Sequence, residues 1–209
     1  MLPGPERLVQ ELRGKVADPR VLNAVRDVPR DQFVPESLRE EAWDNAPLPI
    51  GCGQTISQPL VVARMCELLE LEGTERVLDV GTGSGYHAAL LGRLAAEVYS
   101  IELYEELSAR AGRALAAAGA TNVTLAVGDG SRGLPEHAPY HAINVAAAAR
   151  RRVPPALVAQ LAPGGRLVAP VEQRGSQFLA LLREHEGQLQ TTRLERVRFV
   201  PLVPTRGRG

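Results

Sequence analysis

Short apolar runs alternate with helix-patterned segments from residue 59 to residue 171, a glycine-rich turn joins the first such run to its helix, and two strand-like segments follow near the C-terminus. These observations predict an α/β protein with a doubly wound, mostly parallel sheet covered on both faces by helices. A helical preface precedes the sheet and an antiparallel strand pair closes it. On this reading residues 1–209 form one domain: a helical N-terminal segment (1–46), a loop (47–58), an α/β core (59–203) and a flexible tail (204–209).

The preface is read from "PERLVQELRGKV", "PRVLNAVRDV" and "PESLREEAW", which have helical spacing and are punctuated by prolines, so three short helices are expected. "QPLVVARMCELLEL" is amphipathic, with Pro59 suited to a first helical turn. Strands are expected at 76–80 ("RVLDV"), 97–102 ("EVYSIE"), 122–129 ("NVTLAVGD"), 141–148 ("HAINVAAA") and 165–171 ("GRLVAPV"). The intervening helices are "GYHAALLGRLA", "YEELSARAGRALAAAG" ending at Gly119, and "PPALVAQLA". "QFLALLRE" and "TTRLERVRFVPL" make the closing pair around Glu186 and Gly187.

Composition narrows the function classes. Twenty-four basic residues balance 24 acidic ones, so no overall field points to nucleic acid or an anionic membrane as partner. No run approaches the roughly 18 apolar residues of a membrane span. The opening "MLPGPERLVQELRG" has Glu6 and Glu11 where a signal peptide would be continuously apolar. Cys52 and Cys66 match no metal-ligand spacing and are too few for a disulfide framework, so the expectation is no metal and a reducing, cytoplasmic setting.

The strongest chemical signal is "VLDVGTGSGYHAALL", in which a buried strand runs into Gly81-Thr82-Gly83-Ser84-Gly85 and then a helix. Such glycines let backbone approach a ligand closely. A dinucleotide fingerprint wants a small residue where Tyr86 stands, which argues against NAD. Asp79 precedes the turn, Glu102 ends the next strand and can accept two hydroxyl hydrogen bonds, and Asp129-Gly130 follow the third strand, where an adenine amino group would be met. Three acids at strand carboxyl ends suit a cationic ligand, and the set points to S-adenosylmethionine. Tyr86 and His87 read as helix-packing residues.

Upstream lies "PIGCGQTISQP" (49–59), uncharged and rich in hydrogen-bonding side chains: Gln54, Thr55, Ser57 and Gln58. Ser57, two residues before Pro59, is placed to cap the following helix or to hold a substrate, or to do both.

Together "FVP" (33–35), "LPIGCGQTISQP" (48–59), "VLDVGTGSGYHAALL" (77–91), "VYSIE" (98–102), "GDG" (128–130), "QLAPGGRLVAPV" (160–171) and "FVPL" (199–202) strongly resemble protein-L-isoaspartate O-methyltransferases. The likeness runs from about residue 20 to residue 202, and "GQTISQP" is its most particular part. It implies a Rossmann-like methyltransferase sheet and methyl transfer from S-adenosylmethionine to the α-carboxylate of L-isoaspartyl residues. The ester recloses to a succinimide, which begins repair of the damaged protein. It further implies Ser57 as the catalytic residue, 47–58 as a substrate loop with Gln54, Thr55, Ile56 and Ser57 as substrate contacts, and isoaspartyl proteins and peptides as partners; separately, the chain is expected to be a monomer. A carboxylate is already ionised at neutral pH and needs no general base, so neutral donors that orient it suffice.

The chain departs from the family at His141, where aspartate is usual, at Ala146 and Glu172, and in Arg150-Arg151-Arg152. His141 lies at a strand start, away from the ligand end, and reads as a structural replacement. The arginines read as a solvated helix start or an attractor of acidic peptide. Two further readings are a relative that esterifies aspartate in a dedicated partner peptide, and an inactive cofactor-binding homologue.

Overall fold

The computed structural model describes residues 4–203, so the tail expected at 204–209 lies outside the described residues. Two amphipathic helices open the chain, α1 (Gly4–Leu12) and α2 (Pro19–Asp27), the second with Asp18 as its N-cap, accepting from the Arg20 amide. The third expected helix does not form. After Pro35 there is one 3-10 turn, Glu36–Leu38, followed by i to i+3 hydrogen bonds as far as Asp44. The carbonyls of Ala42 and Ala46 accept from the Arg30 guanidinium, which ties this segment to the buried arginine.

The loop expected at 47–58 is mostly a β-hairpin, β1 (Leu48–Gly51) and β2 (Gln54–Ile56). Its tip needs three successive residues at positive φ, and Gly51, Cys52 and Gly53 supply them, at 94°, 51° and 67°. Helix α3 (Pro59–Leu68) follows with Pro59 in its first turn. Its N-cap position is Gln58, which makes no side-chain cap, and the Leu60 amide donates to Asn45 Oδ1 at 3.0 Å. Asn45, borrowed from the preceding loop, therefore does the capping once open to Ser57.

The core follows the expected alternation: β3 (Arg76–Val80), α4 (Tyr86–Leu94), β4 (Glu97–Glu102), α5 (Glu105–Ala117), β5 (Val123–Val127) and β6 (Tyr140–Val145), which stops short of the expected end at Ala148. Next come a two-residue strand β7 (Ala149–Arg150), a helix α6 (Pro155–Val158) of one turn where a longer one, to Ala162, is expected, and β8 (Leu161–Gln173), which takes up Leu161 and Ala162, then β9 (Ser176–His185) and β10 (Gln188–Val197). The sheet order is β10-β9-β8-β6-β3-β4-β5, parallel from β8 to β5 and antiparallel at β8-β9-β10, with β7 beside β8. Glu186 and Gly187 turn the closing hairpin at positive φ, 51° and 78°, which suits the twist of a two-residue connection.

Two cores fill the two faces of the sheet. Val77 packs with α1 to α4, while Leu78 and Val80 pack with Ile143, Leu157 and Leu167. His141 lies at the amino end of β6, its Nδ1 accepting from the Arg76 amide at 3.0 Å, which is a structural role far from the strand carboxyl ends. Arg150 stands opposite Glu172 in the β7-β8 ladder, so two family departures face each other; the arginine run begins in a strand, not a helix.

Because Asn45 caps α3, Asn45→Ala should lower unfolding free energy by ~1 kcal/mol and Ser57→Ala by less than half of that, measured from urea midpoints. The reverse ranking would return the cap to Ser57.

Candidate active site

The strand order reverses between β3, from which β4 and β5 run one way, and β6, from which β8 runs the other. Open α/β sheets bind ligands at such a point, beyond the strand carboxyl ends. One cavity lies there. Its floor is the glycine turn (Gly81, Thr82, Gly83, Ser84) with Glu102 and Gly130, and one wall is the hairpin segment Gln54, Thr55, Ile56 and Ser57. Two sequence signals, Gln54–Ser57 and Gly81–Ser84, thus meet across one space. The segment 200–203 closes a third side, held by hydrogen bonds from Ala148 to Val200 and from Leu202 to Ala148, both 2.8 Å.

The hairpin wall is fixed by a buried cation. Arg30, fully buried, donates to Ala42 O (2.8 Å), Ala46 O (3.4 Å) and Ser57 O (2.9 Å). Its guanidinium carbon stands 4.7 Å from the centre of the Tyr86 ring, which belongs to the cavity wall. Burial draws Arg30 down to about 10, so it remains charged at neutral pH, and pushes the Tyr86 phenol up to about 12. At its far end the hairpin meets α5, where Cys52 Sγ lies 3.8 Å from Glu106 Oε2.

The acids divide by position. Glu102 lines the cavity, its Oε2 accepting from the Gly83 amide (2.8 Å) and its Oε1 from the Tyr104 amide (3.0 Å). Held so, its remaining lone pairs can accept from a ribose diol. Asp129 and Asp79 do not line the cavity. Asp129 caps the 3-10 turn Gly130–Arg132, accepting from the Ser131 amide (2.9 Å) and hydroxyl (2.6 Å). Its neighbour Gly130 does line the cavity, and a Cβ there would come within 2.6 Å of Val80 Cγ1. Gly85 likewise lies outside the cavity, at φ 90° against Ala111 and Leu115 of α5.

Asp79 is the centre of a buried polar network. In register it sits between Ser100 of β4 and Asn144 of β6. Ser100 Oγ donates to its Oδ2 and Asn144 Nδ2 to its Oδ1, each at 2.7 Å. The Thr82 and Ser100 hydroxyls are 2.6 Å apart, which carries the network into the glycine turn. Burial outweighs these two donors and pushes the Asp79 carboxyl up to about 6.

Sequence reasoning set Tyr86 and His87 aside as packing residues, yet both line the cavity, as do Val62, Ile101, Tyr104 and Ala146. The available signal was position: they occupy the first turn of the helix that leaves the glycine turn. Beyond Ser57 a second depression of about 380 Å³ shares Thr55, Ser57, Ala146 and Val200 with the first and is flanked by Arg196 and Arg198.

The family model of protein-L-isoaspartate(D-aspartate) O-methyltransferase matches residues 5–207. The chain is 55% identical over 195 residues to protein-L-isoaspartate O-methyltransferase 1 of an Anaeromyxobacter species, covering 92% of each chain. Its fold superposes on a solved protein-L-isoaspartate O-methyltransferase with a TM-score of 0.84 at 27% identity, covering 94% of this chain and 65% of that one. It also superposes on the Plasmodium falciparum PCMT structure in complex with S-adenosyl-L-homocysteine, with a TM-score of 0.82 at 26% identity, covering 94% and 97%.

The Asp79 network predicts a pH dependence. Its folded pKa of about 6 lies above the ordinary 3.8, so the folded state binds the extra proton and stability falls as pH rises from about 4 to about 6. Two units correspond to ~3 kcal/mol. The stability difference between wild type and Asp79→Asn should therefore shift by roughly that amount between pH 4 and pH 7.5. A difference flat across that range would show that Asp79 titrates normally.

Proposed function

We infer that this chain, which belongs to the protein-L-isoaspartate(D-aspartate) O-methyltransferase family, carries out that family's reaction with the residues gathered around its cavity. It transfers a methyl group from S-adenosylmethionine to the α-carboxylate of L-isoaspartyl residues in proteins and peptides. The observation that carries the site assignment is the meeting of Gln54–Ser57 with the glycine turn and Glu102 in one space.

S-adenosylmethionine supplies an electrophilic methyl group on a sulfonium: as the carboxylate oxygen forms its bond to carbon, the sulfur–carbon bond breaks and its electron pair returns to sulfur. No proton moves, so the protein's task is placement and exclusion of water. Glu102 takes the ribose hydroxyls, the turn Gly81–Ser84 gives close backbone approach, and Gly130, which has no Cβ to collide with Val80, packs against it and forms part of the cavity floor. Asp79 acts from below, orienting Thr82 through Ser100. Ser57, freed from capping, offers its hydroxyl to one carboxylate oxygen and leaves the other to attack. Thr55 and Gln54 stand beside it. The depression beyond Ser57 gives the substrate backbone somewhere to lie.

We assign this activity to the cytoplasm, consistent with two free cysteines, one of them exposed at the hairpin tip. No helix among the described residues is long and apolar enough to cross a membrane. A monomer suffices, since every residue invoked comes from one chain.

With labelled methyl donor, a peptide containing L-isoaspartate should gain base-labile methyl ester and its aspartate twin should not. Incorporation into neither peptide would reject the function. Ser57→Ala should lower turnover by ~10- to 100-fold and leave S-adenosylhomocysteine affinity within about twofold. An equal collapse of cofactor binding would instead make Ser57 a structural residue.

A further inference from the structure

His87 has no part in the scheme above, yet it is 7% exposed, lies in the first turn of α4 and lines the cavity. Its surroundings fix its proton. Asn144 Nδ2 donates to Asp79 Oδ1 at 2.7 Å and stands 3.2 Å from His87 Nδ1. Turning the amide over would set its oxygen against the carboxylate, so the NH₂ group faces both neighbours and Nδ1 of the imidazole accepts. The ring hydrogen is then on Nε2. That atom is buried and has no hydrogen-bond partner among the described residues. A buried N–H without an acceptor is costly, and because the residue lines the cavity, a bound ligand that carries an acceptor up to Nε2 would satisfy it.

Burial lowers the imidazole to about 3, so the group stays neutral and donates without adding positive charge beside a sulfonium. Two backbone donors at this end are already committed, the Gly83 amide to Glu102 and the Tyr86 amide to Ser84 Oγ. His87 also sits at the amino end of a nine-residue helix, where an anion is favoured.

We propose that His87 is a cofactor-binding residue whose Nε2–H donates to the carboxylate at the amino-acid end of S-adenosylmethionine. The Asp79–Asn144 pair positions it by holding the tautomer. This rests on the cofactor reading above and extends it to a residue with no other partner for its proton.

The test compares two ligands. S-adenosylhomocysteine carries the carboxylate, and 5′-methylthioadenosine keeps the adenosine and the sulfur but lacks the amino-acid end. Affinities for both are measured by calorimetry on the wild type, on His87→Leu, which fills the space without a donor, and on His87→Gln, which keeps an N–H. His87→Leu should weaken S-adenosylhomocysteine about tenfold and leave methylthioadenosine within about twofold, with His87→Gln restoring most of the loss. Equal weakening of both ligands would reduce His87 to packing and overturn the proposal. Unchanged S-adenosylhomocysteine affinity with a raised KM for isoaspartyl peptide would overturn it too, by moving the donor to the substrate. Wild-type protein that bound neither ligand would remove the cofactor reading itself, a failure recognisable because it does not involve His87.

Discussion

The site depends on one buried guanidinium. Arg30 comes from the short turn after α2, yet its donors reach the carbonyls of Ala42, Ala46 and Ser57, and its face stacks on Tyr86 of α4. Among the described residues no carboxylate forms an ion pair with it. Peptide carbonyls take Nε and Nη2 and the Tyr86 ring lies under the guanidinium, which replaces part of its lost water, while Nη1 has no partner among the described residues. The segment 36–46 that it anchors is a run of 3-10 and turn hydrogen bonds. The segment after the hairpin is pinned at Ser57, the residue that must face the glycine turn. The arrangement also keeps the positive charge behind the peptide, away from a carboxylate whose nucleophilicity a direct contact would blunt.

Beneath the turn, the sheet register makes a second constraint. Asp79 lies between Ser100 and Asn144 on adjacent strands, so three polar side chains share one buried face where apolar residues would pack more favourably. Desolvation dominates, as the raised carboxyl shows. The network is consistent with function bearing on stability: one arm reaches Thr82 in the glycine turn and the other reaches His87 on the cavity wall.

Much of this was legible in the sequence, for identifiable reasons. Strands 76–80 and 97–102 were read to the residue because buried parallel strands appear as short apolar runs ended by turns. Glu102 was placed by the helix that returns the chain to the next strand end. The hairpin at 48–56 was hidden because two glycines around Cys52 look like a loop until its strands are paired. The helix expected at 35–43 is a 3-10 turn and further turns instead, and the buried Arg30 that anchors this segment leaves no local trace in its sequence. Asp79 and Asp129 look alike in sequence to Glu102, all three being acids at strand ends. Only side-chain direction separates Glu102, which lines the cavity, from Asp79 and Asp129, which do not. His87 was overlooked because spacing alone makes it a packing residue, and its unpaired nitrogen exists only in three dimensions.

The central claim is that Arg30 holds Ser57 against the glycine turn so that a substrate carboxylate is oriented there. A crystal structure with S-adenosylhomocysteine and an isoaspartyl peptide tests it most directly. The account predicts a substrate carboxylate oxygen within hydrogen-bond distance of Ser57 Oγ, the other oxygen turned toward the cofactor sulfur, and Ser57 O still accepting from Arg30. A carboxylate bound instead by Arg196 or Arg198, or a hairpin released from Arg30 when substrate binds, would contradict it.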